Sequence, residues 1–150
     1  MHLDGPDGSL DVTLLGYQFP SRAAEPHDSN WLVVRVAVRH PRGAWAATDP
    51  CLLTYEVAAL ADWLGAVAAA RATDAEQDFL EPCLRFELRG AEAGGRVLRT
   101  YFDHELRPPW ARAEGSGEVY LDVPAGPGAL AAAAGDLRAQ LARYPQRAAR

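Results

Sequence analysis

Thiols, imidazoles and paired carboxylates are the side chains through which a small domain most readily does chemistry, and this sequence uses them sparingly. Cys51 and Cys83, taken with His40 or His104, contain the parts of a zinc site or of a Cys–His nucleophile. Neither Cys belongs to a CxxC pair and no two His stand at i, i+4, so the spacing assembles no tetrahedral ligand set. Cys51 falls just before a predicted helix, a position that can activate a thiol; the competing reading, for both thiols, is burial as small apolar side chains. Asp103, His104 and Glu105 can be written as an acid–base group. On a strand, however, the two carboxylates point one way and the imidazole the other, so they converge only if the strand has ended. Gly43, Gly90, Gly94 and Gly95 fit neither GxGxxG nor GxxxxGK and read as turn glycines. The expectation is a chain with no catalytic residue, no cofactor and no metal.

Aromatic side chains offer a different kind of chemistry, that of recognition. The chain has 4 Trp. Trp63 sits on the margin of a predicted helix's apolar stripe and reads as core. Trp31 opens a strand after an acidic polar loop, Trp45 lies in a short return strand, and Trp110 follows two prolines in a loop. Such residues either anchor an interface or fold over the end of a sheet as cover for the core; for Trp31 and Trp45 cover is favoured.

The elements that must position these residues follow from periodicity. Leu10, Val12 and Leu14 alternate with Asp11 and Thr13 in a strand predicted over 10–19, closed by Pro20. A polar loop is predicted over 21–30. In Trp31–His40 the residues Leu32, Val34, Val36 and Val38 share one face, with Arg35 and Arg39 on the other. Pro41-Arg42-Gly43 turns the chain into a short strand over 44–47, and Asp49-Pro50-Cys51 reads as a break. A helix is predicted over 55–70, with Thr54 as its N-cap and Glu56 near the positive end of its dipole. Val57, Leu60, Ala61, Leu64 and Val67 make its apolar stripe. After a linker over 71–78, Leu84, Phe86 and Leu88 mark a strand, 90–95 a loose loop, and 96–104 the returning strand. The segment 106–117 reads as irregular and exposed, 118–123 as a last strand, and 127–144 as a closing helix that Pro127 starts. This order predicts an α+β fold: one antiparallel sheet of about five to six strands with two helices packed on one face. The other face would present Arg35, Arg39, Arg85, Glu87, Arg99, Tyr101, Glu118 and Tyr120.

Length and composition bound these readings. At 150 residues the chain is the size of one domain, read as 1–150. Hydrophobic residues make up 49% and charged residues 23%, a globular composition. All 15 positive charges are Arg, and the net charge is −5. No basic stripe interrupts this acidic balance, so nucleic acid and anionic membranes are disfavoured as partners, whereas a basic protein partner is allowed. The N-terminus lacks the basic and apolar regions of a signal peptide, and no apolar run approaches a membrane span, so a soluble cytoplasmic protein is expected.

Several short motifs, in order, carry a family resemblance. Gly16-Tyr17-Gln18-Phe19-Pro20, Asp28-Ser29-Asn30-Trp31-Leu32-Val33-Val34, Gly43-Ala44-Trp45, Asp49-Pro50-Cys51-Leu52-Leu53-Thr54, Trp63-Leu64 and Phe79-Leu80-Glu81-Pro82 resemble the WapI-like family of bacterial immunity proteins. The resemblance runs from about Gly16 to the last helix; it departs at Cys83, where Asn is usual, and so implies no role for a Cys51–Cys83 pair. It implies a non-enzymatic cytoplasmic protein that binds and neutralises the C-terminal domain of a polymorphic toxin, a nuclease in the founding case. An acidic inhibitor suits a basic nuclease, because opposite charge speeds encounter. On that reading the partner-binding residues are the acidic and aromatic residues of exposed loops: Asp28, Trp31, Asp103, Glu105 and Trp110. A small-ligand-binding or regulatory domain outside toxin systems is the alternative, and a deep pocket lined by Trp would favour it.

Overall fold

The computed structural model describes residues 1–22, 25, 28–91, 94–115 and 117–147 of the chain. The predicted loops over 21–30 and 90–95 and the segment 106–117 therefore include residues (23, 24, 26, 27, 92, 93 and 116) that lie outside the described ones.

Among the described residues eight strands form two antiparallel sheets, where a single sheet of five to six strands was expected. The first is a meander of β1 (His2–Gly5), β2 (Gly8–Tyr17), β3 (Trp31–His40) and β4 (Gly43–Leu53). The second is a meander of β5 (Glu76–Gln77), β6 (Leu84–Gly90), β7 (Arg96–Phe102) and β8 (Tyr120–Pro124). Between them runs helix α1 (Thr54–Ala68); α2 (Pro109–Glu114) joins β7 to β8, and α3 (Pro127–Leu141) closes the fold. The sheets abut where β8 approaches the β1–β2 turn and the end of β3: His40 Nε2 lies 3.1 Å from the Tyr120 carbonyl oxygen. Gly8 sits at this junction with φ 152°, and a Cβ there would lie 1.8 Å from the Arg39 carbonyl oxygen. Only glycine fits so close an approach. Buried residues from both sheets, among them Leu10, Val36, Phe86 and Leu98, belong to one core with Leu60 and Leu137 of the two long helices.

Alternation fixes β3, whose Leu32, Val34, Val36 and Val38 are all buried. The strand after it is longer than the 44–47 read from sequence. Pro50 interrupts no sheet bond because β4 is an edge strand, and a register shift between Leu32 and Val34 of β3 absorbs the irregularity. Thr54 is the first helical residue of α1 and not its cap. Leu53 caps the helix, its N–H donating to Glu56 Oε2 at 2.9 Å, while the Thr54 hydroxyl donates to Asn30 Oδ1 at 2.9 Å.

Helix α3 packs on β1 and β2 and against α1. β1 pairs with β2 as far as Asp11, and Met1 extends the pairing by one residue, its amine donating to the Val12 carbonyl at 2.7 Å and its carbonyl accepting from Val12 N at 2.9 Å; from there on the backbone of β2 needs other partners. Gln140 supplies them: its Oε1 accepts from Leu14 N at 2.8 Å and its Nε2 donates to the Val12 carbonyl at 3.2 Å. A side-chain amide thus takes the place of a strand. Among the described residues, no helix is long and apolar enough to cross a membrane.

Candidate functional site

The connection from β7 to α2 gathers three of the five residues expected to bind a partner: Asp103, Glu105 and Trp110. The strand ends at Phe102, so Asp103 is free to cap a 3-10 turn over His104–Leu106, its Oδ1 accepting from His104 N at 2.8 Å. His104 takes the left-handed conformation, φ 46°, which a short polar side chain tolerates at a tight turn. Burial alone would raise the Asp103 carboxyl; the His104 N–H and the Arg107 guanidinium, 3.3 Å away, outweigh it and hold the group below the usual carboxylate range. The carboxylate is thus engaged with the backbone of His104 and with Arg107.

This connection is less exposed than its composition predicts. Leu106 is buried, and its carbonyl accepts the indole N–H of Trp45 at 3.0 Å. Ala111 of α2 is buried too. Trp110, half-buried, meets Trp45 edge-on with ring centroids 5.2 Å apart, lies 6.1 Å from the His40 ring and carries Arg42 over its face at 5.8 Å. Trp45 is buried and Trp63 also, with its indole N–H on the Asp74 carbonyl at 3.0 Å. The Trp45–Trp110 pair covers the end of the first sheet, and the outer side of Trp110 lines a small pocket of about 260 Å³ with His40, Arg42 and Tyr120.

Beside this connection a cleft of about 580 Å³ opens, walled by Phe79 and Asp78 on one side and by Arg85, Tyr101, Asp103 and Glu118 on the other. Its wall continues onto the outer face of β6, β7 and β8, where cross-strand register stacks charge on aromatic rings. Arg85 lies opposite Tyr101 with its guanidinium 3.6 Å over that ring, and Arg99 sits 3.6 Å over Tyr120. The Tyr101 hydroxyl donates to Glu87 Oε2 at 2.7 Å, and Arg99 makes a two-pronged pair with Asp122 at 2.8 and 2.7 Å. The hydroxyl of Tyr101, followed by the nearby arginines, holds the Glu87 carboxyl below its ordinary range. Alternation in the sequence places these residues on an outer face, but it assigns Arg35 and Arg39 to the same face; they stand on the first sheet.

Asp28 and Trp31 lie elsewhere. Asp28 opens a 3-10 turn and pairs with Arg22 at 3.2 Å; Trp31, half-buried, begins β3. His40, which touches Trp110, ends β3, so at about 3.3 Å per residue Trp31 and the Trp110 end of the strand are roughly 30 Å apart, whereas Glu105 reaches Asp49, the partner of Val34, partway between them. Near Asp28, Asn30 is buried and clasps the C-terminal segment, donating to the Arg147 carbonyl at 2.7 Å and accepting from its N–H at 2.8 Å.

The thiols are placed for burial. Cys51 and Cys83 are both buried and unbridged. Burial, followed by the like charge a Cys83 thiolate would carry, pushes the Cys51 thiol far up, the reverse of what a nucleophile needs.

The model of the Immunity protein WapI-like family matches residues 2–145. No curated protein and no solved structure matches the chain.

Proposed function

The chain belongs to the WapI-like immunity protein family, and from that premise we propose that it binds and neutralises a cognate toxin domain without itself catalysing a reaction. The observation that carries this reading is the match over 144 residues, which takes in every strand and helix described above. The toxin is the C-terminal domain of a polymorphic toxin, with a nuclease as the leading class, and the encounter takes place in the cytoplasm of the producing cell. The net charge of −5 favours a basic partner through long-range attraction.

Asp103, Glu105 and Trp110 form the interface together with Arg85, Tyr101 and Glu118 across the cleft. Arg, Tyr and Trp are the residues that most often carry interface energy, and here they are held by their neighbours before a partner arrives. Asp28 and Trp31 mark a second candidate end. A standard interface covers about 800 Å² per partner, a patch about 15 Å in radius. One patch therefore cannot centre on both ends.

Co-expression with candidate toxin domains, any encoded by neighbouring genes first, tests the reading. Cells carrying the protein survive toxin induction; if they die as fast as cells without it, for every neighbouring toxin, the immunity reading fails. Charge reversal locates the interface. Glu118→Arg, at an exposed residue whose ion pair is with Arg85 at 3.4 Å, lowers protection while moving the unfolding midpoint only slightly; if Asp28→Arg abolishes protection and Glu118→Arg does not, the interface lies at the Trp31 end.

A further inference from the structure

Asp49 of β4, Cys83 at the entry to β6 and Glu105 of the 3-10 turn come from three separate segments, yet one ligand atom from each lies within 4.8 Å of the others. Cys83 is 3% exposed. Its thiol has its polar contacts with Glu105, the carboxylate Oε2 being 3.9 Å away. No described residue makes a hydrogen bond or ion pair to the Asp49 carboxylate. The nearby arginines are turned to other acceptors: Arg107 to Asp103 and the Gly117 carbonyl, Arg112 to the carbonyls of Arg107 and Glu105. A buried sulfur thus faces two carboxylates with no cationic side chain paired to either of them.

Without a cation, these groups oppose one another's charge. Burial raises the Asp49 carboxyl, and Glu105 and Glu81 raise it further. Burial, then Asp49 and Glu105, push the Cys83 thiol up to about 11. A divalent cation among them would reverse the sign of every one of these interactions.

We propose that Asp49, Cys83 and Glu105 form a binding site for a thiolate-accepting divalent cation, of which Zn²⁺ is the fitting example, with water completing the shell. One sulfur and two carboxylate oxygens match zinc's ligand preferences, whereas Ca²⁺ and Mg²⁺ take oxygen alone. Zinc bonds of about 2.3 Å to sulfur and 2.0–2.2 Å to oxygen put tetrahedral ligand atoms roughly 3.5 Å apart. Closing from 4.8 Å needs a shift of about 1 Å, and Glu105, exposed on its turn, has the freedom to make it. The spacing of the sequence hides this set because each ligand comes from a different element. The site does not depend on toxin binding, and its test uses the metal alone.

Tag-free protein is titrated with Zn²⁺ against a chromophoric chelator and, in parallel, with Co²⁺, whose thiolate charge-transfer absorption reports a Cys ligand. The expected result is one equivalent of Zn²⁺ bound in the micromolar range or tighter, with Asp49→Asn and Glu105→Gln each weakening binding by about 100-fold or more, beyond what outer-shell changes usually cost. Cys83→Ser removes the cobalt–thiolate band and Cys51→Ser keeps it; circular dichroism shows that each variant is folded. The proposal is overturned if the wild-type chain takes up no stoichiometric Zn²⁺. It is equally overturned if uptake survives Glu105→Gln unchanged, which would show an adventitious ion only, for instance at His2 and Asp11. A thiolate band lost with Cys51→Ser and kept with Cys83→Ser also sinks it.

Discussion

Replacing Trp110 by Ala removes a half-buried indole that packs edge-on against Trp45 at 5.2 Å and lies under Arg42. A buried tryptophan hides 150–250 Å², so a partly exposed one loses roughly 100 Å² of burial on truncation to Ala, or about 2.5 kcal/mol at 25 cal/mol/Å². The aromatic pair with Trp45 adds about 0.5–1 kcal/mol. Relief of the indole N–H, which is buried without an acceptor among the described residues, returns part of this. The expected net loss is about 2–3 kcal/mol, a shift of roughly 5–10 °C in melting temperature for a domain of this length. Domains of this size are stable by about 5–15 kcal/mol, so the variant stays folded and protection can be assayed below its transition. Urea unfolding followed by circular dichroism reads the change. A loss under about 1 kcal/mol would refute the packing described here and leave Trp110 as a free contact residue. The comparison also decides what lost protection means: a variant that loses protection while 95% or more folded, roughly 2 kcal/mol of residual stability, has lost an interface residue.

Three further substitutions probe the scaffold. Asn30→Ala removes its bonds with Thr54 and with both backbone groups of Arg147, and should cost about 2–4 kcal/mol, with amide exchange of residues 144–147 accelerated in hydrogen-exchange experiments; unchanged exchange there would contradict the clasp. Gly8→Ala places a Cβ 1.8 Å from the Arg39 carbonyl at φ 152° and should cost at least about 3 kcal/mol in chemical denaturation, while the open, negative-φ Gly128→Ala should cost nothing. Glu87→Gln should cost about 1 kcal/mol at neutral pH, because a charged acceptor is exchanged for a neutral one under the Tyr101 hydroxyl. The sign follows from linkage: the folded-state carboxyl lies below its unfolded value near 4.3, so its stabilisation is complete above that value and is lost as pH falls through the folded one. Wild type and variant should therefore converge in stability in acid, and a difference that persists at pH 2 would contradict the assignment.

The strands that alternate cleanly were legible residue by residue. β3 is found where Leu32, Val34, Val36 and Val38 place it, and β6 and β7 follow the same signal. Alternation says which residues share a face but not which strands pair, so two sheets were read as one. The short elements β1 and β5, of 4 and 2 residues, are below the length at which a period can be seen. Asp49-Pro50 reads as a break in any internal strand; only the knowledge that β4 is an edge makes it harmless. The turn and glycine signals of 106–117 concealed the buried Leu106 and Ala111, the first of them tied by its carbonyl to the Trp45 indole of the other sheet. For the candidate site, exposed-loop chemistry located Asp103, Glu105 and Trp110 on one connection. It missed Arg85, Tyr101 and Glu118, which the pairing of β6 with β7 and the approach of the segment before β8 bring to the same cleft. Their alternation marks an outer face, and nothing in a linear sequence ties that face to Asp103.

The central claim is that this chain neutralises a toxin domain by binding it. It is tested most directly by titrating the purified protein into a purified candidate toxin domain, with binding heat and residual toxin activity measured in the same series. A stoichiometric complex whose formation abolishes activity in proportion is the predicted result. Full toxin activity at saturating protein, with no heat of binding, would contradict the claim.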